Sequence, residues 1–225
     1  MAAWMTGRGR APRLALLLPL ALPLAAGGCA EMVGDVSPGG AAPASSAEIA
    51  RRLPAEAAGF LRGATTEHET DRPGFGTGVD YATPDRAAAA SVQIYDRGRQ
   101  GRIPEAPTAP EIEAELDRSV AETLEAVRSR PGRRLAEQER TTEILPADAG
   151  PGLRCALLRG TYGRLVVRER LCVGGAAGKF LKVQITTAER TAPALDTTGF
   201  LAEIARAARG LPAGRSAGSG APPAG

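Results

Sequence analysis

The sequence contains few of the residues on which most catalytic and metal sites depend. Its 225 residues include one histidine, three cysteines, one tryptophan and only 4% aromatic residues. A zinc site normally takes several neutral nitrogen or sulfur ligands, and one histidine cannot supply them. Ser91 lies inside a predicted strand and Ser119 inside a predicted helix, so neither is placed as the nucleophile of a serine hydrolase. These absences predict a protein that is not an enzyme and that carries no metal or other cofactor.

The balance of charge gives no indication of nucleic-acid binding. The chain has 28 basic and 25 acidic residues, a formal net charge of +3. Three of the basic residues and none of the acidic ones lie in residues 1–28, so the rest of the chain has 25 of each sign. A nucleic-acid partner needs a clustered basic surface, which a neutral chain does not indicate. Lysine is scarce and occurs only as Lys179 and Lys182.

Residues 1–28 have the three parts of an export signal. Three arginines precede an apolar run from Leu14 to Ala26, which is short for a membrane span. Small residues follow, and Leu24-Ala25-Ala26-Gly27-Gly28-Cys29 resembles the lipobox of bacterial lipoproteins. The resemblance implies that Cys29 receives lipid, palmitate included, and becomes the first residue of the mature protein. With Ala30 next, it also implies the periplasmic face of the outer membrane of a Gram-negative bacterium.

Composition divides the mature chain into one domain and two unstructured ends. Residues 29–47 are rich in small residues and proline, which predicts a flexible tether. Residues 211–225 have the same composition and predict a disordered tail, while residues 48–210 have the length of a single domain. The partners that this arrangement indicates are the membrane, through the anchor, and another envelope protein or anionic headgroups.

Two segments have the apolar period of amphipathic helices. The first follows a capping-box pattern, Thr108-Ala-Pro-Glu111, and stops at Pro131-Gly132. The second begins near Asp196 and ends at Gly210. The apolar stripe of the first helix is Ile112, Leu116, Val120, Leu124 and Val127.

The other patterned segments alternate with a period of two and predict strands. They are residues 58–67, 75–81, 90–94, 135–144, 153–162, 165–173 and 179–187. Three strands, a helix, four strands and a helix favour an α+β fold with an antiparallel sheet of about six to seven strands and two amphipathic helices. Over residues 50–210 this order resembles that of small exported α+β proteins typified by PsbP-like domains. The resemblance concerns element order and export, and it implies no functional residues.

With the lipidated cysteine set aside, Cys155 and Cys172 remain as a pair. A two-residue turn at Gly163-Arg164 places Tyr162 opposite Leu165, and the same register places the two cysteines opposite each other. They fall on a non-hydrogen-bonded pair, where Cα atoms come to about 4.5–5.5 Å, near the range of a disulfide. Because exported proteins meet an oxidising environment, the sequence predicts a structural disulfide. Catalytic thiols and metal ligands are the alternatives.

The same register places Arg159, Arg168 and Arg170 on one exposed face of the sheet. The guanidinium fork of arginine suits phosphate and carboxylate groups, so these three residues are candidates for binding an anion such as a lipid headgroup. The alternative is a solvated face, or one covered by a helix whose carboxylates pair with these arginines.

The single histidine, His68, lies in the acidic segment Glu67-His68-Glu69-Thr70-Asp71. One interpretation is a metal site or general base, and the other is a solvated polar stretch beside a strand. Two hypotheses for function follow. The first is a lipid-anchored, non-catalytic binding or envelope-assembly module. The alternative is a small metal-dependent hydrolase centred on His68.

Overall fold

The computed structural model describes residues 43–212, so the predicted signal, Cys29 and the end of the chain lie outside the described residues. The fold is α+β, with one antiparallel sheet of eight strands and three helices in the described part. The prediction of an antiparallel α+β fold is confirmed. The strands are β1 (Glu56–Ala57), β2 (Phe60–Glu67), β3 (Thr77–Ala82), β4 (Ala88–Tyr95), β5 (Arg133–Glu143), β6 (Leu153–Tyr162), β7 (Leu165–Ala176) and β8 (Lys179–Ala188).

The three helices are α1 (Ser46–Arg52), α2 (Pro110–Arg128) and α3 (Thr197–Arg209). α3 follows the prediction, because the Asp196 side chain caps its first turn and Gly210 ends it in the left-handed conformation. α2 is also present, but the predicted capping box at Thr108 is wrong. Ala109 is the N-cap residue and makes no side-chain capping bond. Proline in the first turn lowers the need for a cap because it has no N–H to satisfy.

α1 was not predicted, and it begins inside the segment assigned to the tether. Ser45 and Glu48 form a capping box at its start. Ile49 and Ala50 are buried against the sheet and α3. Seven residues are too few for an apolar period to stand out, and a helix this short depends on tertiary contacts.

The sheet consists of two meanders that meet at their last strands. The strand order is β1-β2-β3-β4-β8-β7-β6-β5, so β4 lies beside β8 although the chain between them forms α2 and three strands. All pairings are antiparallel. The junction between β4 and β8 is therefore the centre of the sheet.

The helices cover the two faces of the sheet unequally. α1 and α3 pack on one face, where the rings of Phe60 and Phe200 lie with centroids 4.5 Å apart. α2 packs on the other face, where Leu116 contacts a cluster that includes Leu158 and Leu171. On that face α2 lies over β5, β6 and β7.

Beside α2, the same face of the sheet is polar and open. Gln93 on β4 lies opposite Lys182 on β8, and Gln184 follows two residues later on the same side. All three are only partly buried. This open surface beside a helix is where the candidate site lies.

Candidate functional site

The β6–β7 hairpin has the predicted register. Tyr162 lies opposite Leu165 and Cys155 opposite Cys172. The two cysteines form a disulfide with Cα atoms 4.0 Å apart, shorter than the separation expected from the pairing alone. Both are buried in the cluster beneath α1 and α3. The disulfide therefore links β6 and β7, two neighbouring strands, beneath the helices of a packed core.

The three predicted arginines share a face, and each has a carboxylate from elsewhere in the chain. Glu189 bridges Arg159 and Arg168, with N–O distances of 2.8 Å to each. Glu143 lies 3.4 Å from Arg170. Hydrogen bonding to Arg168 and then to Arg159 lowers the pKa of Glu189 and keeps it ionised. We call Arg159, Arg168 and Arg170 the arginine face, and its cations are already paired within the fold.

His68 lies above β3 rather than among its neighbouring carboxylates. A Cβ atom on Gly78 would lie 3.3 Å from His68 Nε2 and 3.9 Å from Gln93 Cγ, so glycine leaves room for the ring. Glu69 instead accepts hydrogen bonds from the backbone N–H groups of Gly74 and Gly76 and closes the β2–β3 loop. Within residues 43–212, no three His, Cys, Asp or Glu side chains form a group that could hold a metal ion.

A cleft with several cations lies between α2 and the open part of the sheet. We call it the cationic cleft. Its volume is about 330 Å³. It is lined by Arg72, Phe75, Gln93, Tyr95, Arg97, Glu122 and Lys182. The residues come from the β2–β3 loop, β4 and the residues after it, the middle of α2, and β8. Gln93, which like His68 lies beside Gly78, lines the cleft, whereas His68 is not among the lining residues.

One wall of the cleft is held by a buried carboxylate. Glu115 on α2 is 2% exposed and accepts hydrogen bonds from the Tyr95 hydroxyl at 2.7 Å and from Arg97 at 2.8 Å. Burial, with the charge of Glu115, raises the pKa of Tyr95 well above its ordinary value, so the phenol remains a hydrogen-bond donor. Glu122 accepts a second bond from Arg97 at 3.0 Å. Arg97 is therefore a positioned, paired cation.

The backbone of Arg97 carries some strain in this arrangement. Its φ angle is 58°, in the left-handed region that side chains other than glycine rarely adopt. Two carboxylates offset that cost, since hydrogen bonds to charged groups are among the strongest in proteins. Although burial alone disfavours its charge, bonds to Glu122 and Glu115 raise the pKa of Arg97. The fold thus fixes this guanidinium at the edge of the cleft.

Phe75 and Tyr95 give the cleft aromatic surfaces that face cations. The guanidinium carbons of Arg72 and Arg97 lie 4.4 and 4.9 Å from the Phe75 ring centroid. Lys182 Nζ lies 5.6 Å from the centroid of Tyr95. Such contacts hold a cation by the electron-rich ring face without neutralising its charge.

Lys182 is a cation of the cleft that forms no salt bridge in the described part of the chain. Burial lowers its pKa from the ordinary 10.5, although Glu122 acts in the opposite direction. Among residues 43–212, no carboxylate lies within ion-pair distance of its amine, whereas Lys179 lies 2.8 Å from Asp96. A partly buried ammonium group without a partner is costly unless a ligand supplies the missing charge.

A second cavity continues along α2 from the cationic cleft. Its volume is about 270 Å³, and Glu122 lines both cavities. Tyr162 lines this cavity, and its hydroxyl donates a hydrogen bond to Glu169, which is 1% exposed. The amide nitrogen of Gln184 also donates a hydrogen bond to Glu169, with an Nε2–Oε1 distance of 2.6 Å. Arg133 lies over the ring of Tyr162, with its guanidinium carbon 4.6 Å from the centroid.

Sequence reasoning missed this cleft, although one signal for it was present. The predicted strand over 179–187 alternates between buried Leu181, Val183 and Ile185 and the polar residues between them. A central strand with one polar face indicates an open surface or a site on that face. The other lining residues belong to segments far apart in sequence, so no local pattern joins them.

In the described part of the chain, no helix has the length and apolar character needed to cross a bilayer. In comparisons with known proteins, no family model matches this chain and no curated protein matches it.

Proposed function

We propose that this protein is a non-catalytic binding module of the bacterial envelope, which takes an anionic ligand in the cationic cleft. The observation that carries the proposal is the unpaired Lys182 amine beside the Arg72 guanidinium, in a cavity of about 330 Å³. A carboxylate or phosphate group placed there would supply the missing countercharge. Charge-assisted hydrogen bonds of that kind are roughly twice as strong as neutral ones.

The chemistry of the lining residues favours binding over catalysis. The guanidinium groups of Arg72 and Arg97 supply positive charge, and they and the neutral amide of Gln93 donate hydrogen bonds. Tyr95 also keeps its proton because its pKa is raised by burial and by Glu115. Such groups orient and retain an anion.

The second part of the proposal is that Cys29 carries a lipid anchor. The lipobox-like segment before Cys29 and Ala30 after it support anchoring on the periplasmic face of the outer membrane. Globomycin, which blocks lipoprotein signal cleavage, should cause an unprocessed precursor to accumulate. The Cys29→Ser variant should lose both processing and attachment. A Cys29→Ser protein that is still cleaved and membrane-bound would contradict this part of the proposal.

The binding proposal is tested by calorimetric titration of the full-length protein with citrate at low ionic strength. Lys182→Gln should lower the affinity at least tenfold, since it removes the partly buried ammonium group that has no salt bridge among residues 43–212. Lys179→Gln is the matched control, because it removes the other lysine of the chain, which Asp96 already pairs. Equal affinities for the two variants, or no citrate binding to the unaltered protein, would contradict the proposal.

A further inference from the structure

The two cavities along α2 share Glu122 and form one groove with cations at both ends. At one end lie Arg72 and Lys182. At the other end the second cavity is lined by Arg130 and Arg133. Within residues 43–212, neither of these two arginines has a carboxylate within ion-pair distance. Both ends of the groove therefore offer unpaired positive charge.

A ligand that contacts both sets of cations must extend from one cavity into the other. Lys182 and Arg72 line the first cavity, Arg130 and Arg133 line the second, and Glu122 is the residue that lines both. On α2 the second cavity is lined from Glu122 to Val127, over which the helix advances about 7.5 Å.

The middle of the groove favours hydroxyl groups over further negative charge. Glu122 is about half exposed there, and its carboxylate repels anions but accepts hydrogen bonds from hydroxyls. Gln184 lines the second cavity and has an amide oxygen and an amide nitrogen, which suit hydroxyls as donors or acceptors. An unbroken polyanion fits this middle section poorly.

The floor of the groove also disfavours an extended peptide. It is the face of a sheet in which β8 pairs with β4 on one side and with β7 on the other. Its backbone N–H and C=O groups are therefore already used, and no strand edge is available for a peptide to pair with. Contact must come from side chains. Three of the seven phenylalanine and tyrosine residues of the chain lie along the groove, namely Phe75, Tyr95 and Tyr162.

From these features we infer that the groove binds an acidic oligosaccharide, with one anionic group at Lys182 and Arg72 and another at Arg130 and Arg133. The inference rests on the proposed function, because it takes the cationic cleft as the first of the two anion sites. Sugar rings between the anionic groups supply hydroxyls for Glu122 and Gln184.

The test compares oligogalacturonate, a chain of acidic sugars, with monomeric galacturonate and with a neutral maltooligosaccharide of equal length. Calorimetry on the full-length protein should give at least about tenfold tighter binding of the acidic oligomer than of either probe. Arg133→Gln should lower the affinity for the oligomer and leave that for the monomer unchanged, whereas Lys182→Gln should lower both. Arg134→Gln is the matched control, because Arg134 is the next residue on β5 and points to the opposite side of the sheet.

The outcomes separate this inference from the proposed function. If monomer and oligomer bind equally, or if Arg133→Gln leaves oligomer binding unchanged, the extended groove is wrong while the anion site at Lys182 stands. If neither galacturonate nor citrate binds, both proposals fall. If a short acidic peptide of glutamates binds more tightly than the oligomer and responds to the same variants, the groove is real and the assignment to sugars is overturned.

Discussion

Two clusters of cations lie on opposite faces of one sheet, and they differ in whether carboxylates of the chain pair with them. On the arginine face, Glu189 joins Arg159 and Arg168, and Glu143 lies beside Arg170. In the cationic cleft, Lys182 has no carboxylate within ion-pair distance in the described part of the chain. Clustered cations are therefore candidates for binding an anion only where no carboxylate of the fold forms an ion pair with them.

The surroundings of the two clusters differ as much as their pairing. The side chains of Arg159 and Arg168 are 55% and 45% exposed, so water and salt screen their charges. Lys182 lies in a cavity between α2 and the sheet, where screening is weaker and its pKa is lowered by burial. One added anion is worth more in the cleft than on the arginine face.

The largest effect on stability is expected where the cleft wall depends on one buried carboxylate. Glu115→Ala removes the acceptor of Tyr95 and Arg97 and leaves a guanidinium in a strained loop with one partner fewer. Breaking a buried ion pair in this way costs about 3–5 kcal/mol. Urea denaturation of the variant measures the loss. Glu125→Ala is the control, because Glu125 lies on the same helix in an exposed pair with Arg128. A similar loss from both variants would contradict the role given to Glu115.

The disulfide should affect stability without affecting the cleft. Cys155 and Cys172 lie 17 positions apart, and closing a loop of that size stabilises the folded state by about 3 kcal/mol. The double variant Cys155→Ala and Cys172→Ala should lower the melting temperature accordingly, while citrate binds with unchanged affinity because the pair faces the α3 side. A lower citrate affinity at temperatures where the variant is folded would show that the two faces are coupled.

The hairpin could be predicted from sequence because its geometry is local. One turn, Gly163-Arg164, fixes every pairing from Tyr162–Leu165 to Cys155–Cys172, and the disulfide follows from that register. The positions of Arg159 and Arg168 were predicted in the same way. Their partner Glu189 was not, because it lies 30 and 21 residues away and reaches them only after β8 pairs with β7.

The cleft could not be predicted because it combines segments that no local pattern connects. Phe75 comes from a loop, Glu122 from α2 and Lys182 from β8. They meet because β4 lies beside β8. This pairing joins strands that are not consecutive in sequence, so it cannot be read from the order of strands along the chain. The aromatic residues gave no indication of the groove either, since the three that line it, Phe75, Tyr95 and Tyr162, come from three separate segments.

Removing the unpaired lysine should stabilise the protein while it weakens binding. Lys182→Met replaces a burial-disfavoured charge by an apolar side chain, for a gain of about 1 kcal/mol. The direction of its pKa shift gives the pH dependence. Since the folded-state pKa lies below 10.5, the folded protein binds fewer protons, and the charged lysine costs stability at pH values below that folded-state pKa.

That cost is relieved as pH rises from the folded-state pKa towards 10.5. The stability advantage of Lys182→Met over the unaltered protein should therefore shrink over this alkaline range, and citrate affinity of the unaltered protein should fall over it. Chemical denaturation and calorimetry at a series of pH values measure both. An advantage that grows with pH would show that Lys182 has a carboxylate partner in solution.

The smallest effect on stability, and the sharpest test of the comparison, comes from removing the countercharge on the arginine face. Glu189→Gln leaves Arg159 and Arg168 unpaired, 55% and 45% exposed, and close together across the hairpin. Exposed ion pairs contribute little to stability, so the melting temperature should barely change. At low ionic strength the variant should gain a second, weak citrate site, which calorimetry would detect as a second binding event that salt abolishes. Adding Arg168→Gln to the variant should remove the new site and leave the one at Lys182.

The contradicting outcome is a single citrate site in Glu189→Gln at every salt concentration. That result would show that unpaired, neighbouring cations are not sufficient to bind citrate. Enclosure of Lys182 between α2 and the sheet would then be the feature that the arginine face lacks.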